Sequence, residues 1–90
     1  MPGIIQLAST VEKIKGGGTI TYKGNPNRGI WWHLVGVDAT IEVAAFGTLT
    51  NIQMLTNSSG YATATYTAPV AALDPDQWDR VKIYESQAVA

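Results

Sequence analysis

Turn-forming residues interrupt this chain at short intervals. Three consecutive glycines, Gly16, Gly17 and Gly18, cannot lie within a strand without a large entropic cost. Further turn sequences occupy residues 23–29 and 57–60, and Pro69 ends another run because it has no N–H to donate to a strand ladder. The segments between these breaks are rich in Ile, Val, Thr and Tyr, which favour strands. The sequence therefore predicts an all-β protein built from short strands.

Alternation of apolar and polar residues predicts where the strands lie. The predicted strands are residues 4–8 with a continuation over 11–14, then 19–22, 30–35, 39–45, 49–56, 61–67 and 80–85. The alternation also predicts inward faces, whose members are Ile20 and Tyr22, Ile30, Trp32 and Leu34, Ile41 and Val43, Ala62, Ala64 and Tyr66, and Val81 and Ile83. Residues 70–79 are predicted to form a loop with room for one short helical turn. Seven or so short strands with frequent turns favour a two-sheet sandwich over a barrel.

Length and composition exclude several classes of protein. Ninety residues suffice for one domain, expected to span residues 1–90 with a core over about 4–86. The absence of Cys excludes a disulfide framework, a thiolate zinc site and a cysteine nucleophile. A net charge of -1 argues against nucleic-acid binding, which needs a clustered basic face. Neither a signal peptide nor membrane insertion is expected, because no long apolar segment occurs.

Three motifs in order resemble one known family. Gly24-Asn25-Pro26-Asn27-Arg28-Gly29 resembles the G-N-P-x-x-G strand-turn-strand of bacterial immunoglobulin-like domains of the invasin and intimin (Big) type. Gly47-Thr48-Leu49 followed by residues 56–69 is similar to the family's G-T-L … T-x-x-x-G-x-A segment, and residues 81–86 resemble its closing strand. The resemblance covers roughly residues 4–86. It implies an immunoglobulin-like β-sandwich of about seven antiparallel strands in two sheets.

The resemblance also implies a function. Domains of this type are non-enzymatic structural or adhesive modules of larger bacterial surface or secreted proteins, so an extracellular or cell-surface location is expected. The partners implied are neighbouring domains of the parent protein, and a host-surface protein or glycan. Two alternatives stay open: a carbohydrate-binding module, and an immunoglobulin-like decoration domain of a phage virion protein. An antibody-type domain is not supported, since it would carry a Cys pair.

The sequence departs from the family pattern at Trp31, Trp32 and His33, where small or β-branched residues are usual. Trp31 and His33 share the outward side of their strand and, joined by Trp78, are candidates for an aromatic platform that binds a sugar or a neighbouring domain. The limited size of exposed apolar patches on soluble domains favours the alternative, in which Trp32 fills the core and the loop over residues 70–78 covers Trp31. His33 is the only His, so catalysis through it is not expected.

An acidic segment carries the only candidate metal site. Asp74, Asp76 and Asp79 have a spacing that offers carboxylate oxygens to Ca²⁺. The simpler interpretation is an acidic solvated loop in which Asp74 precedes a turn proline. No Gly lies where an EF-hand loop requires one, and no cofactor other than Ca²⁺ is considered for this sequence.

Overall fold

The computed structural model of the protein describes residues 5–86, and these form seven strands and no helix. The strands are β1 (Ile5–Ile14), β2 (Gly18–Lys23), β3 (Ile30–Asp38), β4 (Ile41–Val43), β5 (Thr48–Thr50), β6 (Tyr61–Thr67) and β7 (Gln77–Ser86). Ile4, with which the first predicted strand begins, lies outside the described residues. The all-β prediction of about seven antiparallel strands in two sheets is confirmed.

The two sheets enclose one core. The larger sheet has the order β1-β7-β3-β4 and the smaller one the order β2-β6-β5, with every pairing antiparallel. The buried cluster draws on both sheets and consists of Tyr22, Ile30, Ala62, Val81 and Ile83. Partly buried side chains packed against it are Val11, Ile14, Ile20, Trp32, Leu34 and Leu49. The inward faces predicted for β2, β3, β6 and β7 are therefore confirmed.

The strand order matches a constant-type immunoglobulin sandwich except at β1 and at β4, which adds a strand beside β3. A constant-type immunoglobulin domain has sheets A-B-E-D and C-F-G. Here β2-β6-β5 follows the order B-E-D, and β3 lies beside β7 as C lies beside F. Strand β1 pairs antiparallel with the far side of β7, the place that strand G takes in an immunoglobulin domain, rather than beside β2. As a result β2 is hydrogen-bonded to a neighbouring strand on one side only among the described strands.

Two predicted strands are shorter than expected. The strand predicted over residues 39–45 is reduced to β4, and its Ile41 side chain is 66% exposed rather than inward. Strand β4 lies at the edge of its sheet beside β3, and all three of its residues are exposed. The strand predicted over residues 49–56 ends at Thr50, because Asn51 takes a left-handed φ of 50° and interrupts the regular ladder with β6.

Residues 51–56 instead form a strap that crosses from one sheet to the other. Gln53 N–H donates to the carbonyl oxygen of Thr63 in β6 at 2.9 Å. Ile30 N–H in β3 donates to the carbonyl oxygen of Met54 at 2.9 Å, and the Trp32 indole N–H donates to that of Gln53 at 2.8 Å. The strap thus provides backbone partners to strands of both sheets, which compensates for the missing length of β5.

The predicted loop at residues 70–79 carries no helical turn in the structure. Its last residues, from Gln77 onward, belong to β7.

Across residues 5–86, no helix has the length and apolar character needed to cross a bilayer.

A single buried carboxylate joins the two sheets. Asp79 in β7 is fully buried and accepts hydrogen bonds from the N–H groups of Phe46 at 2.9 Å and Gly47 at 2.7 Å. It also accepts the hydroxyl proton of Tyr66, which projects from β6 in the other sheet. Burial raises the pKa of Tyr66 far above its ordinary value, and the hydrogen bond to Asp79 and the charge of Asp79 add to the rise. Tyr66 therefore stays a neutral donor at physiological pH.

Replacing Asp79 should destabilise the protein severely. In the wild type, the two carboxylate oxygens of Asp79 accept hydrogen bonds from N–H and O–H donors. In Asp79→Asn an NH₂ group replaces one of these oxygens, so a donor would face donors. Leaving such buried donors unpaired costs about 3 kcal/mol, which chemical denaturation would measure as a loss of unfolding free energy. Asp76→Asn, in the exposed loop, is the matched control and should change stability by less than about 0.5 kcal/mol. Equal denaturation midpoints for the two variants would contradict this role of Asp79.

Candidate functional site

An apolar row crosses three strands on the outer face of the larger sheet. The register places Tyr84 of β7 opposite Trp31 of β3 on one side and opposite Leu7 of β1 on the other. Trp31 is 40% exposed and Leu7 is 55% exposed, while Tyr84 is partly exposed between them. We call Leu7, Tyr84 and Trp31 the aromatic row. The three residues are cross-strand neighbours and accessible to solvent, so they form a candidate contact surface.

Charged side chains occupy the middle of the same face. Arg80 pairs with Glu12 of β1 and with Glu42 of β4, each at 2.7 Å, and Lys82 pairs with Glu42 at 2.9 Å. Hydrogen bonds from Lys82 and Arg80 lower the pKa of Glu42 below its ordinary value. This ion-pair network links the two edges of the sheet across β7, and it separates the aromatic row from the other end of the face.

Trp78 lies at that other end. It is opposite Val37, six positions along β3 from Trp31, so the two Trp residues are about 20 Å apart along the strand. The Lys13 ammonium lies 5.7 Å from the centre of the Trp78 ring, and the Trp78 indole N–H donates to Glu12 at 3.3 Å. The structure thus brings Trp31 and His33 onto one face, as predicted, but it does not bring Trp78 to them.

Trp31 is not covered by the loop that precedes β7. That loop is held at the Trp78 end, where Lys15 Nζ donates to the carbonyl oxygen of Pro75 at 3.1 Å and Ala39 N–H donates to that of Asp76 at 2.8 Å. The predicted cover is therefore wrong, although Trp32 does pack against the core as that interpretation required. Whether Trp31, His33 and Trp78 bind a ligand stays a prediction.

The turn beside the aromatic row is held by side chains distant in sequence. The buried hydroxyl of Thr56 donates to the carbonyl oxygen of Asn25 at 2.6 Å and accepts the N–H of Arg28 at 2.8 Å. Gly29 N–H donates to the Ser86 hydroxyl oxygen at 3.0 Å, and Ser86 N–H donates back to the Gly29 carbonyl oxygen at 2.9 Å. The turn at residues 24–29 is consequently fixed to the strap and to the end of β7.

Glu85 makes the second attachment of this turn. Its carboxylate accepts the backbone N–H of Asn25 at 2.9 Å, the side-chain amide of Asn25 at 3.0 Å and the hydroxyl of Tyr22 at 3.1 Å. Partial burial raises the pKa of Glu85, but the hydrogen bonds from Asn25 and Tyr22 and the charge of Arg28 outweigh it, so the pKa lies below its ordinary value. Glu85 is therefore ionised whenever the turn is in place at neutral pH.

Gly60 lets the neighbouring turn approach this region. It has a φ of 89°, and a Cβ there would collide with the carbonyl oxygen of Gly24. Gly24 N–H donates to the Gly60 carbonyl oxygen at 2.8 Å, so the turns at residues 24–29 and 57–60 pack directly on each other. Only glycine fits both the backbone conformation and the contact.

An open groove of about 450 Å³ lies between this turn and the start of β1. Its lining includes Gln6, Leu7, Asn25, Arg28, Glu85 and Ser86. Leu7 belongs to both the groove and the aromatic row, so the two are continuous. The guanidinium of Arg28, the amide of Asn25 and the hydroxyl of Ser86 are hydrogen-bond donors at its wall. An apolar platform beside a few fixed polar groups is suited to binding a ligand or partner.

The three predicted calcium ligands do not converge. Asp74 and Asp76 are exposed in the loop, whereas Asp79 points into the core and is occupied by Phe46, Gly47 and Tyr66. No group of three His, Cys, Asp or Glu in the described part of the chain is arranged to hold a metal ion.

Sequence reasoning did not select three residues of this site. Leu7, Tyr84 and Arg28 lie in different strands and turns, and only the register of β1 and β7 against β3 brings them together. The available signal was alternation in β7, which places Tyr84 on the face opposite Val81 and Ile83. It did not show which residues of β1 and β3 lie beside it. Comparison with protein-family models, curated proteins and solved structures gave no match for this chain.

Acid should weaken the turn through Glu85. Its folded-state pKa is lower than the ordinary value of 4.5, so its contribution to stability is present above that pH and is lost as the pH falls through the lower folded-state pKa. In Glu85→Gln the unfolding free energy should therefore depend less on pH in the range below 4.5 than in the wild type. Denaturant titrations at several acidic pH values measure this. Asp38→Asn, at an exposed strand end, is the control. If the unfolding free energy of Glu85→Gln falls as steeply with decreasing pH as that of this control, the assignment is contradicted.

Proposed function

We propose that the protein is a non-enzymatic immunoglobulin-like module that binds a partner through the aromatic row and the adjoining groove. The observation that carries the proposal is the continuity of an exposed Leu7–Tyr84–Trp31 row with a groove that presents Arg28. Trp, Tyr and Arg are the residues that most often dominate binding energy at protein interfaces. Here all three occur at one end of one face.

The rigidity of the site supports this proposal. Trp31 and Tyr84 lie on paired strands, and the turn that carries Asn25 and Arg28 is fixed by Thr56 and Glu85. A site built on fixed elements loses little conformational entropy on binding, so more of the contact energy is realised as affinity. Paired charges occupy the middle of the outer face, which favours the aromatic row as the point of contact.

The wider setting is proposed from the sequence resemblance. A module of the Big type belongs to a larger bacterial surface or secreted protein, where it is a structural or adhesive unit. The strand order, immunoglobulin-like except at β1 and β4, agrees with this setting, although a fold by itself does not determine a function. On this proposal the partner is a neighbouring domain, or a protein or glycan of a host surface.

Carbohydrate binding is the second candidate. Trp31 and Tyr84 are cross-strand neighbours, and flat aromatic surfaces of this kind pack against the apolar faces of sugar rings. Donors of Asn25, Arg28 and Ser86 beside them are placed to hydrogen-bond sugar hydroxyls. This candidate uses the same site but requires a soluble oligosaccharide to bind without a protein.

Removing the Trp31 side chain should abolish most of the binding. The probes are a panel of soluble oligosaccharides, followed by Trp fluorescence, and cultured host cells incubated with labelled protein. Trp31→Ala should weaken binding at least about tenfold, as expected for an interface anchor. The matched control is Tyr61→Ala, because Tyr61 is 41% exposed on the other sheet and its loss should leave binding unchanged.

The two candidates give different results. A fluorescence change with one oligosaccharide that Trp31→Ala loses would favour the carbohydrate-binding module. Cell binding that persists after enzymatic removal of glycans would favour a protein partner. Equal effects of the two substitutions, or wild-type protein that binds neither probe, would contradict the proposed site.

A further inference from the structure

Strand β1 is attached to the rest of the sandwich in an unusual way. Among the described strands it pairs with β7 alone, and it lies at the edge of the larger sheet. Its Val11 and Ile14 side chains pack against the core, and its Glu12 pairs with Arg80 at 2.7 Å. Strand β2, the next in the chain, belongs to the opposite sheet and is not paired with β1.

The connection between these two strands is short and rich in glycine. Only Lys15, Gly16 and Gly17 separate the end of β1 from the start of β2. Nothing lies within 4 Å of the position that a Cβ would take at Gly16. The connection must reverse direction and change sheet within these three residues, yet its central part is not packed against other residues.

Unusual backbone conformations occur on both sides of this connection. Lys13 has a φ of 59°, a left-handed conformation that is unfavourable for a residue with a Cβ, and it lies where the β1–β7 register shifts between Val11 and Ile14. On the other side Gly18 has a φ of 149°, which L side chains rarely adopt. Lys13 lies within the β1–β7 ladder and keeps its conformation in either form, whereas Gly18 directly follows the connection and its conformation belongs to the tight reversal.

We propose that two copies of the chain exchange β1, so that β7 of each copy pairs with β1 of the other. The exchange opens the connection at residues 15–17 into an extended segment. The same residues of β1 and β7 pair as before, but they now belong to different copies. The interactions that β1 makes within one copy, including the Glu12–Arg80 ion pair, form again between the two copies. The partner is therefore a second copy of this chain.

The balance between the closed and exchanged forms depends on the connection. Because both forms contain the same strand pairs, their difference in free energy consists mainly of two terms: the constraint that the tight reversal over residues 15–17 places on the backbone, and the translational and rotational freedom lost on association. Short connections under strain favour exchange, and longer ones favour the closed form. Exchange requires β1 to leave its own β7, so interconversion should be slow and the dimer should form at high protein concentration.

Paired cysteines distinguish the two forms directly, since the chain has no Cys of its own. Thr10 of β1 and Lys82 of β7 are register partners, and the roughly 4.5–5.5 Å between paired Cα atoms suits a disulfide. The variant Thr10→Cys with Lys82→Cys is concentrated, incubated and oxidised. The expected result is a covalent dimer on a non-reducing denaturing gel, because each disulfide joins two chains.

The control pair is Thr21→Cys with Thr63→Cys. These are register partners in β2 and β6, which stay in one copy in either form, so this variant should run as a monomer. A Thr10→Cys and Lys82→Cys protein that runs only as a monomer under the same conditions would overturn the proposal. The wild type gives a second measurement: sedimentation after incubation at high concentration should show a dimer that persists on dilution, and a monomer alone would overturn the proposal.

Lengthening the connection provides a test that leaves every strand intact. Insertion of four residues, Gly-Ser-Gly-Ser, after Gly16 removes the need for a tight reversal. The dimer fraction should fall at least about tenfold relative to the wild type under the same conditions, as expected when a strained connection is relieved. A dimer fraction equal to that of the wild type would contradict the role assigned to the connection.

Discussion

The position of β7 depends on the hydrogen bonds of one buried carboxylate. Burying an ionised carboxylate is costly unless strong donors compensate it. Asp79 has three donors: two backbone N–H groups of the β4–β5 loop, at Phe46 and Gly47, and the Tyr66 hydroxyl from the opposite sheet. Because these donors come from separate parts of the chain, all are satisfied only when the two sheets and the loop are correctly placed. This requirement selects one register of the sheets over alternative hydrophobic packings.

The position of β7 also determines which side chains lie together on the outer face of the larger sheet. The strand is paired on both sides, with β1 and with β3, so each of its outward residues has a neighbour on either side. Tyr84 thereby gains Leu7 and Trp31, and Arg80 gains Glu12 as an ion-pair partner. The end of the same strand carries Glu85, which holds the turn beside the groove. Core packing, the surface charge network and the candidate binding site thus share one strand.

Much of this fold was predictable from alternation and turn chemistry, because strands covered on one face show a period of two. The sequence did not show which strands pair with each other or in which register. Ile41 alternates as a core residue should, yet it is exposed on β4, a short edge strand whose three residues are all exposed. Asp79 occupies the inward position two residues before Val81, but the predicted strand began only at residue 80, so Asp79 was assigned to the loop as a candidate metal ligand. Trp78 was grouped with Trp31 because the sequence does not show which residues of two strands lie beside each other, and hence how far apart the two Trp side chains are.

Amide hydrogen exchange tests the central role of Asp79 most directly. Phe46 and Gly47 lie in the loop between β4 and β5, where amides without strong acceptors exchange through small local fluctuations. If Asp79 holds the sheets and this loop together, the two amides should exchange only when the whole protein unfolds, at the rate of the slowest amides in β7. Exchange of Phe46 and Gly47 at the rate of the exposed loop at residues 70–76 would contradict the account.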